Sequence, residues 1–172
     1  VLESDNVKDR VLDAVGDVVD RAVKQYLYGG SRETDWDFEG LFVFLYTKFG
    51  CDLRDQKEKL EQMGFEEVGE LVHAALMERY QQKEGDLGPD VMRHLEKMLL
   101  LNTIDAKWKD HLYAMDQLKS GIGLRSYGQW DPLIEYKHEG FEMFQMMFDL
   151  ITDDVAEMVF KARPVRHQER VQ

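Results

Sequence analysis

The chain has 172 residues, of which 44% are hydrophobic and 33% are charged, so it holds enough apolar material for the core of one or two small domains. Its formal net charge of −12 repels phosphate backbones and argues against sequence-independent nucleic-acid binding. Cys51 is the only cysteine, which excludes an internal disulfide and a cysteine-based zinc site and fits a reducing compartment.

The first half of the chain reads as a series of helices. Apolar residues at three-to-four spacing predict a helix over residues 5–27, with Ser4 or Asp5 as its cap and the glycines at 29–30 as its end. The apolar run at 41–46 is also compatible with a buried strand. No partner strand is apparent, so we prefer a helix over 38–48 that stops at Gly50. Two further helices are predicted over 54–62 and 65–83, separated at Gly64.

The clearest break in the chain is the segment of residues 85–89, because Pro89 suits the first turn of a new helix. The formal charge also changes there, from −9 over residues 1–88 to −3 over residues 89–172. We therefore predict a small helical domain over 1–88, a helical hairpin over 89–165 and a polar tail over 166–172. Because the chain starts at Val1 inside a helical pattern, we interpret it as an excised fragment.

The second half predicts two long helices, from Asp90 to about Lys119 and from about Leu133 to Ala162, joined by a glycine-rich loop over 120–132. The inner side of the second helix is expected to carry Tyr136, Phe141, Phe144, Phe148, Ile151, Val155 and Val159. Further apolar residues on this helix widen the apolar arc, among them Met143, Met147, Leu150 and Phe160. One partner helix cannot cover so wide an arc, so we predict that residues 1–88 or a helix outside the chain packs there.

The loop between the two helices carries large apolar side chains, namely Ile122, Leu124, Tyr127 and Trp130. One interpretation is that a mobile tip uses them for adaptive contact with another chain. The other is that they pack back against the hairpin or a neighbouring domain, which composition alone slightly favours.

Chemically active side chains lack the spacing of a catalytic or metal site. No metal-binding helix pattern is formed by His94, Asp105, Asp110, His111 and Asp116. A solvated, charge-balanced face is the interpretation for Glu96, Lys97, Asp105, Lys107, Lys109 and Asp110. There is no phosphate-binding loop and no nucleophile elbow, so we predict no catalytic residue, no metal, no cofactor and no enzyme activity for this chain.

Two stretches around the loop closely resemble the SecA family: WKDHLYAMDQLKSGI over 108–122 and LRSYGQWDPLIEYKHEGFEMF over 124–144. So many matching positions in one region make chance agreement negligible. Residues 1–88 match more weakly, but their order and length suit the helical wing domain that precedes the two-helix finger in this family. The resemblance implies a wing followed by the two-helix finger of the helical scaffold domain, without the ATPase motor.

The resemblance also implies a function. In this family the finger is thought to reach the cytoplasmic mouth of the SecY channel, to touch the unfolded preprotein and to restrain the motor's ATPase. The contact residues that it implies are Tyr127, Arg125, Gln129, Leu124 and Trp130. The residues that it implies for the restraint are Trp108, His111, Met115, Asp116 and Tyr136. Ser126 stands where the family usually has Gly, and Gly128 where it usually has Ala.

Other properties follow from the same resemblance. The partners that it implies are the remaining SecA domains, including the long scaffold helix, and self-association is compatible with it. ATP and Mg are expected in the parent motor rather than in this chain, and the expected location is the cytoplasm, peripheral at the inner membrane. The alternative is a stand-alone helical adaptor that binds partner helices through the Met and Phe arc. Residues 1–88 fit both.

Overall fold

A computed structural model describes residues 4–27, 36–125 and 131–163, with side chains described over 7–27, 36–122 and 131–163. In these ranges every regular element is helical, which confirms the predicted all-α fold. The helices are α1 (Ser4–Leu27), α2 (Phe38–Phe49), α3 (Lys57–Leu60, preceded by a 3-10 turn at Arg54–Gln56), α4 (Phe65–Leu87), α5 (Pro89–Arg125) and α6 (Pro132–Lys161). The last two form the long antiparallel hairpin.

Local caps explain where α2 and α6 begin. The Asp37 side chain accepts a hydrogen bond from the backbone N–H of Gly40 at 2.8 Å. The Asp131 side chain accepts one from the N–H of Leu133 at 2.9 Å, and Pro132 occupies the first turn of α6. Gly50 ends α2 in the left-handed conformation with φ +63°. The preferred helix over the apolar run at 41–46 is thereby confirmed.

Three predicted bounds were wrong. The helix expected over 54–62 is a 3-10 turn followed by a single helical turn. α4 runs through Gly85 to Leu87, and the chain breaks only at Gly88. α5 continues past Lys119 to Arg125, because adding hydrogen bonds to an existing helix outweighs the modest helix cost of the two glycines at 121 and 123. The predicted end of α1 at residues 29–30 and the predicted polar tail lie outside the described residues.

The core joins the first half of the chain to one end of the hairpin. α1, α2 and α4 bury a continuous apolar cluster that also contains five hairpin residues: Met92, Leu100, Val155, Ala156 and Val159. Phe49 of α2 meets Phe160 of α6 edge to face, with ring centroids 5.3 Å apart. We call residues 89–103 and 151–163 the hairpin base. The prediction that residues 1–88 pack on the apolar arc of α6 is confirmed at this base.

Ion pairs join the base to α1 and α2. The Arg21 guanidinium of α1 lies 2.7 Å from the Asp153 carboxylate of α6, and Lys48 of α2 lies 3.3 Å from Glu157 of α6. These pairs are partly exposed, so each adds little to the free energy of unfolding. Their arrangement nevertheless matches a hairpin base that is held on two sides by the first half of the chain.

Candidate functional site

The rest of the hairpin, residues 104–125 and 131–150, is its distal half, and α5 carries it about 30 Å beyond the base at 1.5 Å per residue. Only Ile122 and Met147 are buried among its described side chains. Large apolar side chains are exposed along it: Ile104, Trp108, Leu112, Tyr113, Leu133, Ile134, Phe141, Phe144, Met146, Phe148 and Leu150. Apolar exposure of so many large side chains is typical of an interaction surface.

A row of aromatic rings crosses the distal half. Trp108 and His111 are three residues apart on α5, and their ring centroids lie 5.6 Å from each other. His111 reaches across to Phe144 of α6 at 5.9 Å, and Phe144 continues to Phe148 at 5.7 Å. The structure therefore brings together two of the five hairpin residues that the family resemblance implied.

The other three implied hairpin residues lie nearer the tip. A Cβ added to Gly140 would lie 3.0 Å from the Cε of Met115, so the absence of a side chain on α6 makes room for this methionine. Tyr136 is half-buried on α6, whereas Asp116 is exposed on α5. The backbone carbonyl of Asp116 accepts a hydrogen bond from the Ser120 hydroxyl at 2.9 Å. Met115 thus packs between the helices, while Asp116 faces solvent.

A shallow groove of about 220 Å³ lies beside His111. It is lined by Lys107, Asp110, His111, Ala114, Met143, Met146, Met147 and Leu150. Methionine side chains adapt to differently shaped partners, so this lining suits protein contact better than chemistry on a small molecule.

Two predictions about the inner side of α6 were wrong. Phe141 and Phe148 were expected to face α5, yet they are 61% and 58% exposed. Met147 is buried in their place. The cause is geometric: the apolar arc of α6 is wider than the strip that α5 covers, and the apolar core that α6 shares with α1 and α2 contains only residues of the base.

The tip residues fall largely outside the description. Tyr127, Gln129 and Trp130 lie outside the described residues, and of Leu124 and Arg125 only the backbone is described, as the last turn of α5. Ile122, in the turn before them, is 7% exposed. This one side chain of the predicted apolar loop is therefore buried.

A buried charged network between α4 and α5 was not predicted from the sequence. Glu96 is fully buried, and it accepts hydrogen bonds from the Tyr80 hydroxyl and, at 3.0 Å, from Nη2 of Arg93. Nε of Arg93 lies 2.8 Å from the second oxygen of Glu96, an electrostatic contact without hydrogen-bond geometry. The interpretation of Glu96 as part of a solvated face was wrong, because it faces Tyr80. The only sequence signal was the three-residue spacing of Arg93 and Glu96.

The network continues to α1. Arg93 lies 2.6 Å from the Glu84 carboxylate of α4, and Lys8 of α1 lies 2.9 Å from the same carboxylate. The hydrogen bond from Lys8 lowers the pKa of Glu84, and Arg93 acts in the same direction. Burial raises the pKa of Glu96, against the opposing effects of Tyr80 and Arg93. Three helices are thus joined at the break between α4 and α5.

The remaining charged face of α5 behaves as predicted in most positions. Lys97, Asp105, Lys109 and Asp110 are exposed, which confirms the solvated interpretation for them. Lys107 is partly covered and pairs with Asp154 of α6 at 2.7 Å. Within the described ranges, no group of three His, Cys, Asp or Glu side chains is arranged to hold a metal ion. None of the helices described combines the length and the hydropathy needed to cross a lipid bilayer.

Comparison with known proteins shows which protein family this chain matches. Residues 1–163 match the family described as the SecA Wing and Scaffold domain. Over its whole length the chain is 41% identical to the protein translocase subunit SecA of Pelotomaculum thermopropionicum, and the match covers 19% of that protein. It is 39% identical, again over its whole length, to the protein translocase subunit SecA of Desulforamulus reducens, of which the match covers 20%. In Syntrophomonas wolfei the identity is 38%, over 98% of the chain and 20% of the relative. The chain spans about one fifth of the length of these curated relatives.

Proposed function

Because the chain belongs to the SecA family, through its wing and scaffold domain, we propose that it works as the wing and two-helix finger of a protein-translocating ATPase. In this proposal the hairpin tip contacts the unfolded preprotein and the SecY channel, and the hairpin restrains the ATPase of the motor domains. ATP and Mg belong to the motor, and the assembled protein lies in the cytoplasm, peripheral at the inner membrane.

The observation that carries the proposal is the contrast within one hairpin, whose base is held in a core while its distal half exposes apolar side chains along α5 and α6. Because the base is packed in the core, the distal half can keep its direction while its end contacts another molecule. In this proposal Tyr127 and Arg125, from the sequence that resembles the tip of the family's finger, act at that end. A tyrosine offers a large contact area to any passing side chain, and a guanidinium pairs or stacks without requiring a particular sequence.

The proposed restraint uses the row of rings that starts at Trp108. Exposed aromatic rings next to a methionine-lined groove form a surface that other domains of a larger protein can cover. Contact between this surface and the motor would link the position of the hairpin to the rate of ATP hydrolysis. Self-association through the same surface is compatible with this proposal.

Cross-linking in the full-length parent protein tests the tip. A photo-cross-linking amino acid replaces Tyr127, and adducts are analysed with a stalled preprotein and the channel present. The matched control replaces Tyr46, which is 56% exposed on α2 in the wing. We expect adducts to preprotein or SecY from position 127 and none from position 46. Absence of both adducts at position 127 would refute the tip assignment.

The same full-length protein tests the restraint. Trp108→Ala should raise the basal ATPase rate, whereas Tyr113→Ala, which removes a more exposed aromatic ring from the same helix, should leave it unchanged. Equal rates in the two variants would contradict a restraint through Trp108. The alternative of a stand-alone adaptor has no observation of its own, because the exposed Met and Phe side chains lie on this same distal half.

A further inference from the structure

A surface of different chemistry lies at the other end of the hairpin, where α6 ends beside the last turns of α4. A cavity of about 630 Å³ opens there, lined by Arg79, Gln82, Lys83, Asp86, Leu87, Phe160, Ala162 and Arg163. Three of these side chains are cationic and one is a carboxylate. The chain as a whole carries a net charge of −12, so this cavity is locally positive on a negatively charged chain.

Lys83 reaches the cavity as a cap on α6. Its ammonium donates to the backbone carbonyls of Val159 at 2.6 Å, Phe160 at 3.1 Å and Ala162 at 2.5 Å. These acceptors are neutral, so they satisfy the hydrogen bonds of the ammonium but leave its charge unpaired. Burial lowers the pKa of Lys83, and the nearby Arg163 and Arg79 lower it further. The cavity therefore concentrates positive charge that an anion would neutralise.

The two arginines are available to supply that recognition. Arg79 donates from Nε to the carbonyl of Phe49 at 2.9 Å, which orients its guanidinium. Within residues 4–27, 36–125 and 131–163, neither Arg79 nor Arg163 forms an ion pair with a carboxylate. A guanidinium can hold a carboxylate through two parallel hydrogen bonds. Leu87 and Phe160 add apolar surface to the same cavity.

We propose that this cavity binds an acidic peptide segment, with a carboxylate at Arg79 and Arg163 and an apolar side chain against Phe160 and Leu87. A concave site with apolar walls suits a peptide rather than the flat headgroup layer of an anionic membrane. Because the overall charge of the chain repels polyanions, such a peptide gains affinity only at a site where positive charge is concentrated.

Fluorescence anisotropy with a labelled peptide of alternating Glu and Leu tests the proposal on the 172-residue chain. We expect saturable binding that weakens as salt is added and is absent for the same peptide with Gln in place of Glu. Arg163→Gln and Arg79→Gln should each weaken binding by about tenfold or more, as the loss of a charge-assisted contact implies. Lys97→Gln, which removes the same charge from an exposed site on α5, should change it less than about twofold.

Arg163→Gln keeps the test decisive, because the Arg163 side chain makes no hydrogen bond to the part of the chain that the structure describes, whereas Arg79→Gln removes the one to Phe49. Circular dichroism shows whether each variant keeps its helices. Equal binding of the Glu and Gln peptides, or equal affinities of the Arg163→Gln and Lys97→Gln variants, would overturn the proposal. So would binding to phosphatidylglycerol vesicles that needs Arg79 and Arg163 while the acidic peptide fails to bind. This test uses neither channel nor motor, so its outcome is independent of the function proposed above.

Discussion

The base and the distal half of the hairpin contain similar residues but differ in how far those residues are buried. Both halves of α5 and α6 place large apolar side chains at helical spacing. The base buries several of them against α1, α2 and α4 and leaves others exposed, such as Met98 and Leu101, whereas the distal half leaves most of them exposed. The difference lies in the neighbours rather than in the two helices. Apolar residues at helical spacing therefore show that a helix has a face suited to packing. Which part of that face is buried depends on the neighbouring helices.

Polar groups follow the same division. At the base, Glu96 and Arg93 are enclosed in a network that ties α1, α4 and α5 together, and Lys83 caps the end of α6. In the distal half, the His138 ring and the Glu142 carboxylate, 3.7 Å apart, are both exposed. The enclosed groups at the base should therefore contribute strongly to the free energy of unfolding, and the exposed groups of the distal half weakly.

The largest expected contrast comes from removing one phenyl ring of α2 that packs on the base and one phenyl ring from the distal half. Phe49 is 1% exposed and packs on Phe160, so Phe49→Ala should lower the free energy of unfolding by about 3–5 kcal/mol. Phe148 is 58% exposed, so Phe148→Ala should lower it by less than about 1 kcal/mol. Urea denaturation followed by circular dichroism measures both. If the two changes were equally costly, the distal half would be as well packed as the base.

Features that depend on nearby residues in the sequence were predictable, and features that depend on tertiary packing were not. The helices of residues 4–27 and 38–49 and the break before Pro89 were predictable, because spacing, caps and proline act within a few residues. The exposure of Phe141 and the burial of Glu96 were not, because both depend on which helices pack nearby. The implied tip residues came from similarity to a family, which carries functional information that periodicity does not.

The next contrast concerns pH. The pKa of Glu84 is lowered in the folded state by Lys8, so its stabilising contribution is present above the pKa of an unfolded glutamate, near 4.5. It is lost as the pH falls through the lower pKa of the folded state. Glu84→Gln should therefore lower the free energy of unfolding by about 1.5–3 kcal/mol at pH 7 and progressively less below pH 4.5.

Glu142→Gln is the matched change in the distal half, since this carboxylate is exposed. It should change the free energy of unfolding by less than about 0.5 kcal/mol at pH 7. Urea denaturation of both variants and the unchanged chain, at pH 7 and at steps below pH 4.5, gives the comparison. A Glu84→Gln effect that stayed constant with pH would mean that the base network does not depend on the charge of Glu84.

The smallest expected effects come from the joint between α4 and the hairpin base, and they differ in sign. Gly88 has φ +84° and ψ 149°, a conformation open almost only to glycine, and a Cβ added there meets nothing within 4 Å. Gly85, three residues earlier inside α4, also has open space around an added Cβ. Gly88→Ala should therefore lower the free energy of unfolding by about 1–2 kcal/mol through backbone strain alone. Gly85→Ala should raise it by about 0.5–1 kcal/mol, because alanine favours the helix.

Thermal and urea denaturation of these two variants measure how much the joint itself contributes to holding the base. Since neither added methyl group meets a neighbour, a difference in sign can arise only from the backbone conformation at each position. A stabilising Gly88→Ala would mean that the joint accepts another conformation while the apolar core and the Glu84–Arg93–Glu96 network keep the hairpin in place. The direction of the distal half would then be set by side-chain packing at the base and not by the single residue that separates α4 from α5.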